Sequence, residues 1–284
     1  MGTERMAPPD ILRTIMEAKQ AELEVLRRAG LPEFRSRARD APPPRDFLAP
    51  IRAAAKDTSR PPALIAEVKK ASPSKGVIRE DFHPARIAEQ YAEGGASCLS
   101  VLTDREFFQG GLAYLQQARD AAHLPVLRKD FTLDRIQLYE ARAAQADAIL
   151  LIAACLDPHH LLDLRLEAEE ELRLAVLVEI HDIAEWEALL SAGPAPGLVG
   201  VNNRNLRDFT VELETTEELA PAVLGQGALL VAESGIFTPA DVARLRHAGA
   251  SSILVGESLM RENDIARATR ELLSQDGRTP AHEP

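Results

Sequence analysis

Cysteine is nearly missing from this chain: 284 residues carry only Cys98 and Cys155. Both sit inside apolar, strand-like runs, and two thiols cannot build a disulfide framework, so both are expected as reduced core residues of a cytoplasmic protein. Aromatic side chains are scarce, at 4% with one tryptophan, and the formal net charge is −11. A surface of that sign with few rings for base stacking argues against a nucleic-acid platform. No apolar run nears the roughly 18 residues that a membrane helix needs, and the opening MGTERMAPPD has no apolar signal-peptide stretch, so a soluble, unexported chain is expected. The seven histidines form no His-x-His or His-x-x-x-His pair beside carboxylates or cysteines. No metal site is therefore expected.

What is present is an ordinary globular balance of 45% hydrophobic and 27% charged residues, enough for a substantial core. From residue 64 one theme recurs: a short β-branched-rich run, a polar loop, then a helix-period stretch of Ala, Leu, Arg and Glu. The eight runs start at Leu64, Cys98, Pro125, Ala148, Leu174, Leu198, Ala228 and Ser252, spaced 34, 27, 23, 26, 24, 30 and 24 residues apart. Each interval fits one strand plus one crossover helix. Eight such units predict an α/β chain folded as a (β/α)8 TIM barrel over residues 64–273. The main rival, a doubly wound open sheet, is weakened because no Gly-x-Gly-x-x-Gly follows the first run.

Residues 1–63 read differently. An amphipathic stretch from Asp10 repeats Ile11, Leu12, Ile15, Met16, Leu23 and Leu26 at helical spacing and ends near Gly30. A proline- and arginine-rich connector follows, containing one further helical piece, RDFLAPIRAAA. About 60 residues with so few apolar positions would form a marginal core alone, so they are expected as an N-terminal helical extension packed on the barrel. Residues 274–284 read as a polar tail. Helix caps are expected at Asp157 before Pro158, at Thr238 before Pro239, at Asp182 with Glu185 in capping-box spacing, and near Asn263.

Strand parity points to chemistry. Barrel strands alternate between interior and helix layer, and active sites gather at their carboxyl ends. On one face lie Ile65, Glu67 and Lys69 in the first strand, Leu127, Lys129 and Phe131 in the third, and Leu177 and Glu179 in the fifth. Gly200 and Asn202 follow in the sixth, and Val231 and Glu233 in the seventh. Any one of these polar residues could be a strand-end charge in a structural ion pair. Five strands delivering Glu67, Lys69, Lys129, Glu179, Asn202 and Glu233 to one end instead predict a pocket for acid–base catalysis, with a Schiff-base role for either lysine left open. No Ser-His-Asp or Cys-His arrangement is legible. Ser234-Gly235 and Gly256-Glu257-Ser258 end the last two strands, where barrel loops often hold phosphate through backbone N–H groups. The loop KASPSKGVIRED could bring Lys70, Ser72, Ser74 and Lys75 to the same mouth. His181 and Trp186 read as a cap-region histidine and a packed indole, and the acidic run Glu167 to Glu171 as a solvated face.

These motifs together resemble one family. EVKKASPSKG (67–76), SVLTDREFFQGG (100–111), LRKDF (127–131), LVEIHD (177–182), GVNNRNL (200–206), VAESGI (231–236) and VGESLMR (255–261) are similar, in order, to the indole-3-glycerol phosphate synthases of tryptophan biosynthesis. The resemblance spans about residues 8–273 and implies a barrel lyase with no cofactor and no metal. Its implied substrate is a small phosphorylated one, 1-(2-carboxyphenylamino)-1-deoxyribulose 5-phosphate, and other tryptophan-pathway enzymes are the candidate protein partners. It implies that Lys129 is the general acid at ring closure and Lys69 the second catalytic lysine. Glu179 and Glu67 are then the proton-transfer carboxylates, with Asn202 and Glu233 near the sugar hydroxyls. Ser234, Gly235, Gly256 and Glu257 would hold the phosphate, the last through its backbone. Phe108, Phe131 and Val255 would wall the aromatic ring, and Arg204 and Ser72 would meet the carboxylate end. One departure is Gly111, where serine is usual. A sugar-phosphate isomerase barrel and a non-catalytic anion-binding barrel are the rival readings; the former often uses cysteine and aspartate, and the latter would have dispensed with the lysines.

Overall fold

A computed structural model describes residues 10–205 and 209–274. Eight parallel strands close on themselves: β1 (Ala63–Val68), β2 (Cys98–Leu102), β3 (Val126–Lys129), β4 (Ala148–Ile152), β5 (Ala175–Ile180), β6 (Leu198–Asn202), β7 (Leu229–Glu233) and β8 (Ser252–Val255). β8 pairs with β1, Leu64 opposite Ile253, so the sheet has no free edge. Nearly every strand residue is buried, as expected for a parallel sheet covered on both faces, and the (β/α)8 expectation holds. Helices α4 (Pro84–Glu93), α5 (Leu112–Ala122), α6 (Arg135–Ala143), α7 (Pro158–Leu166), α8 (Ile183–Ala192), α9 (Glu214–Gly225) and α10 (Pro239–His247) fill the crossovers, and a short turn of helix at Glu257–Met260 precedes the last helix, Ile265–Leu272.

Register confirms the parity argument. Glu67 stands opposite Ser100, Leu102 opposite Lys129, Ile152 opposite Glu179, Glu179 opposite Gly200, and Asn202 opposite Glu233. Paired positions in a parallel sheet share a face, so these residues all point into the barrel at its carboxyl end. Arg128, one position off, points the other way and is buried against Asp130, Glu140 and the Gln137 carbonyl.

The segment before β1 forms three helices, α1 (Asp10–Ala29), α2 (Leu31–Asp40) and α3 (Leu48–Lys56). α2 was expected as connector; Pro32 sits in its first turn, where no donor is lost, and Phe34 and Ala38 bury its inner face. α3 packs across the amino-terminal ends of the strands. Phe47 and Ile51 are fully buried there, the Cys98 thiol meets the Phe47 carbonyl at 3.6 Å, and Arg246 donates to the carbonyls of Ala54 and Asp57. α1 lies at the opposite end. Its Lys19 is only 1% exposed and is paired with Asp104 at 2.8 Å, Asp130 at 2.9 Å and Glu22 at 2.7 Å. The N-terminal helices therefore grip both ends of the barrel.

Asp157 and Thr238 cap their helices as expected. Two caps differ. Asp182 accepts from the Glu185 N–H, but the Glu185 carboxylate reaches back to the His181 N–H instead of closing the box. The last helix is capped by Asp264, one residue beyond Asn263. The acidic run is only partly solvated: Glu167 and Glu169 are half-buried, and the single Tyr139 hydroxyl lies 2.9 Å from both Glu167 and Glu171, able to donate to either. Cys98 and Cys155 are buried free thiols. The Asp10 side chain, Leu206 of GVNNRNL and all of the polar tail but Ser274 lie outside the described residues.

Gly111 begins α5 without a side-chain cap, in extended backbone, and a Cβ there would meet nothing within 4 Å. Gly111→Ser is therefore expected to raise stability by a few tenths of a kcal/mol in urea unfolding, with kcat unchanged.

Candidate active site

A cavity of about 210 Å³ opens at the carboxyl end of the barrel. Its wall holds every residue singled out above as catalytic or substrate-binding: Glu67, Lys69, Lys129, Glu179, Asn202 and Glu233, and around them Ser72, Phe108, Phe131, Arg204, Ser234, Gly235, Val255, Gly256 and Glu257. From the β1 loop Ser72 and Ser74 join the wall, whereas Lys70 and Lys75 do not line it. That loop folds as a small hairpin, Ala71–Ser72 against Gly76–Val77.

Lys129 occupies the centre of the polar floor. Its Nζ donates to Glu179 Oε2 at 2.6 Å and to Glu233 Oε2 at 3.0 Å. Burial works against its charge, but Glu179, Glu233 and Glu67 outweigh that and hold its pKa above the usual lysine value. The two carboxylates differ in what else they touch. Glu179 Oε1 accepts from Asn202 Nδ2 at 3.0 Å and faces His181 Nε2 at 3.4 Å. Burial would raise its pKa, yet Lys129 and His181 depress it below the usual carboxylate range. Glu233 Oε1 is buried without a hydrogen-bond partner. Burial, aided by Glu179 and Glu67 and opposed by Lys129, pushes Glu233 up to about 7. One lysine thus sits between one firmly ionised carboxylate and one that titrates near neutrality, the separation that lets a site keep a base and an acid side by side. Room for Glu233 comes from Gly200, where an added Cβ would run into the Glu233 carboxylate.

Lys69 pairs with Glu67 at 2.6 Å across the adjoining wall, both mostly buried. Phe108 and Phe131 face each other with ring centroids 6.3 Å apart and, with Leu102, Leu150 and Leu254, form an apolar slot beside the charged floor. Ser234 and Gly235 both have positive φ, 67° and 79°, in the turn after β7. Arg204 reaches Glu257 at 3.9 Å, a loose pair.

The sequence did not reveal that α1 reaches the site. Ile11, Leu12 and Ile15 line the pocket, and the Lys19 cluster anchors that helix to the loops after β2 and β3. The amphipathic spacing of α1 marked these as core positions; only the tertiary arrangement makes them pocket wall. Phe209, Ile236 and Phe237 at the rim were likewise missed. Among the described residues no group of three His, Cys, Asp or Glu side chains is arranged to hold a metal ion, and no helix is long and apolar enough to cross a membrane.

Solved structures with this fold include a thiamine phosphate pyrophosphorylase from Pyrococcus furiosus, 18% identical with TM-score 0.51 over 74% of this chain and 93% of that one. A 3-hexulose-6-phosphate synthase is 16% identical, with TM-score 0.54 over 74% and 97%. At such identities the likeness concerns the fold alone. Sequence relatives are far nearer. The indole-3-glycerol phosphate synthase of Polaromonas naphthalenivorans (strain CJ2) is 50% identical over 267 residues, 94% of this chain and 99% of that protein. The protein of the same name from Laribacter hongkongensis (strain HLHK9) is 51% identical over 93% and 99%. The profile described as indole-3-glycerol phosphate synthase matches residues 12–272. The chain belongs to the indole-3-glycerol phosphate synthase family, carboxy-lyases of tryptophan biosynthesis.

Proposed function

We propose that the chain converts 1-(2-carboxyphenylamino)-1-deoxyribulose 5-phosphate into indole-3-glycerol phosphate, carbon dioxide and water, with Lys129 as general acid and Glu179 as base. The observation that carries the reading is the shared Lys129 ammonium, held by two carboxylates with a slot for an aromatic ring beside it. The ring carbon bearing the carboxylate attacks the ribulose carbonyl. As that C–C bond forms, the carbonyl π pair moves onto oxygen and takes the Lys129 proton. The carboxylate leaves as carbon dioxide, and its bonding pair restores the aromatic ring. Dehydration then needs two proton transfers. Lys69, oriented by Glu67, protonates the departing hydroxyl, which leaves as water, while Glu179 accepts the proton lost as the indole double bond forms. The two lysines give up two protons and Glu179 gains one, and solvent restores the single proton that decarboxylation consumes.

Asn202 and Glu233 meet the sugar hydroxyls, and Ser72 and Arg204 meet the carboxylate end. Backbone N–H groups at Ser234, Gly235, Gly256 and Glu257 take the phosphate, where a positive-φ turn brings main chain close to a ligand. In a chain of net charge −11 these donors and lysines supply the local field that admits a dianion. Two buried free thiols suit a cytoplasmic location.

The test is to incubate the purified chain with this substrate and follow indole fluorescence with and without EDTA. Equal rates are expected; substrate binding without carbon dioxide or indole release would overturn the reading. Inorganic phosphate is expected to raise the apparent KM and leave kcat alone, whereas a pure kcat effect would remove the phosphate assignment. Substitution at Gly256 is a poor substitute for that titration, because a Cβ there would meet Glu67 Oε1 at 2.5 Å and disturb the carboxylate too.

A further inference from the structure

Lys129 does not distinguish Glu179 from Glu233 by itself, since it bonds to both. What distinguishes them lies behind Glu179, outside the pocket wall. His181 follows Glu179 by two positions, on the same face where β5 ends, and its side chain is 13% exposed. Its Nε2 stands 3.4 Å from Glu179 Oε1, near enough to pair as ions though out of line for a hydrogen bond. Its Nδ1 stands 3.3 Å from Glu185 Oε2, and the same carboxylate oxygen accepts the His181 backbone N–H at 2.7 Å. Among the described residues Glu233 has no such neighbour: its Oε1 is buried without a hydrogen-bond partner.

We propose that His181, held as an imidazolium between Glu179 and Glu185, is a positioning residue that decides which of the two carboxylates sharing Lys129 stays ionised. The ring faces Glu179 on β5 and Glu185 on α8; the Cys155 thiol on the turn after β4 is pushed up by burial and by the same two carboxylates. Lys129 from β3, Asn202 from β6 and Glu233 from β7 face Glu179 from the pocket side. Burial opposes the imidazolium charge, but Glu179 and Glu185 outweigh it and lift His181 to about 10. A carboxylate stands at each ring nitrogen, the arrangement that favours the charged ring. Three carboxylates, Glu67, Glu179 and Glu233, face two lysines in the pocket, so one carboxylate is left without a cation of its own. A charge behind Glu179 keeps that carboxylate ionised and leaves the extra proton to Glu233. Coupled carboxylates are told apart in this way by unequal surroundings rather than by their own chemistry.

The inference rests on Glu179 being the base, and three measurements separate the two claims. His181→Gln keeps a donor of similar reach without charge; the acidic limb of kcat is expected to move up by roughly one unit, so that kcat falls about tenfold along that limb and returns towards the parental value at higher pH, with KM within about twofold. Glu185→Gln withdraws one of the two carboxylates that keep the ring charged, so the alkaline limb of kcat is expected at least one unit lower than in the parent. Nitrogen-15 NMR of the parent is expected to show both His181 ring nitrogens protonated at pH 8. A neutral ring at pH 8, or parental limbs in both variants, would overturn the proposal, as would a pH-independent loss in His181→Gln matched by a lower Tm. Glu179→Gln turning over like the parent would fail the base assignment itself, whereas an inactive Glu179→Gln beside a parental His181→Gln would fail only the positioning role.

Discussion

Lys129→Met is expected to stop the reaction before carbon dioxide is lost, and Glu179→Gln after it. The methionine keeps the bulk of the lysine stem and deletes the proton that the carbonyl oxygen needs as the ring closes. Loss of a positioned general acid costs about 10² to 10⁴ in rate. Here the loss is compounded, because Glu179 and Glu233 are left side by side with their shared cation gone. In single turnover, carbon dioxide release by Lys129→Met should fall by that full factor. Glutamine at position 179 keeps the shape and can still bond to Asn202, but cannot take up a proton. Glu179→Gln should therefore release carbon dioxide faster than it forms indole, and the intermediate between them should accumulate. Parental ratios of carbon dioxide to indole in both variants would refute the assigned order.

Lys19→Met should cost about 3–5 kcal/mol of stability, the usual result of removing one partner from a buried ionic group. The variant leaves Asp104 and Asp130, both almost fully buried, facing the place of a lost cation. For a chain of this size that corresponds to a Tm lowered by roughly 10 °C. The pH dependence identifies the cause. Burial would raise the Asp130 pKa, but Arg128 and Lys19 outweigh it and hold it at about 2, below the ordinary aspartate value of 3.8. A carboxylate depressed in the folded state contributes stability that is present above its unfolded pKa and is lost as the pH falls through the folded value. The gap between parent and variant should narrow between about pH 4 and pH 2. A gap that stayed constant would mean lost packing, not lost charge. Because Ile11, Leu12 and Ile15 on the same helix line the pocket, KM should rise along with the loss of stability.

The barrel and its polar floor were legible because both follow from local rules. Runs such as AILLIAA are apolar on both faces, and Glu67, Lys129, Glu179 and Glu233 each fall at or one residue before the carboxyl end of a strand, at inward parity. What was hidden depends on distance along the chain. LPEFRSRARD offers only Leu31, Phe34 and Ala38 as apolar positions among charges, so its helical period was masked. Lys19 looks like any solvated lysine on an amphipathic helix until Asp104 and Asp130 arrive from two later loops. His181 shared the parity of Glu179, a signal that was available, but its meaning depended on where the Glu185 carboxylate turned. Cap positions slipped by one residue at Asp264, the ordinary uncertainty of helix ends.

The helix that finishes the pocket mouth is synthesised before every strand of the barrel it closes on. Arg27 near its end binds Asp134, 107 residues later in the chain. At translation speeds of about 5–20 residues per second, α1 waits on the order of 5–20 s before that partner exists. Gly256 and Glu257, which line the same pocket, come later still. For that interval its apolar stripe has no barrel to cover, so the nascent chain relies on α1 staying solvated and out of wrong contacts. The exposed charges of α1, Glu17, Glu22, Glu24, Arg27 and Arg28, suit that waiting period as much as they suit the finished enzyme.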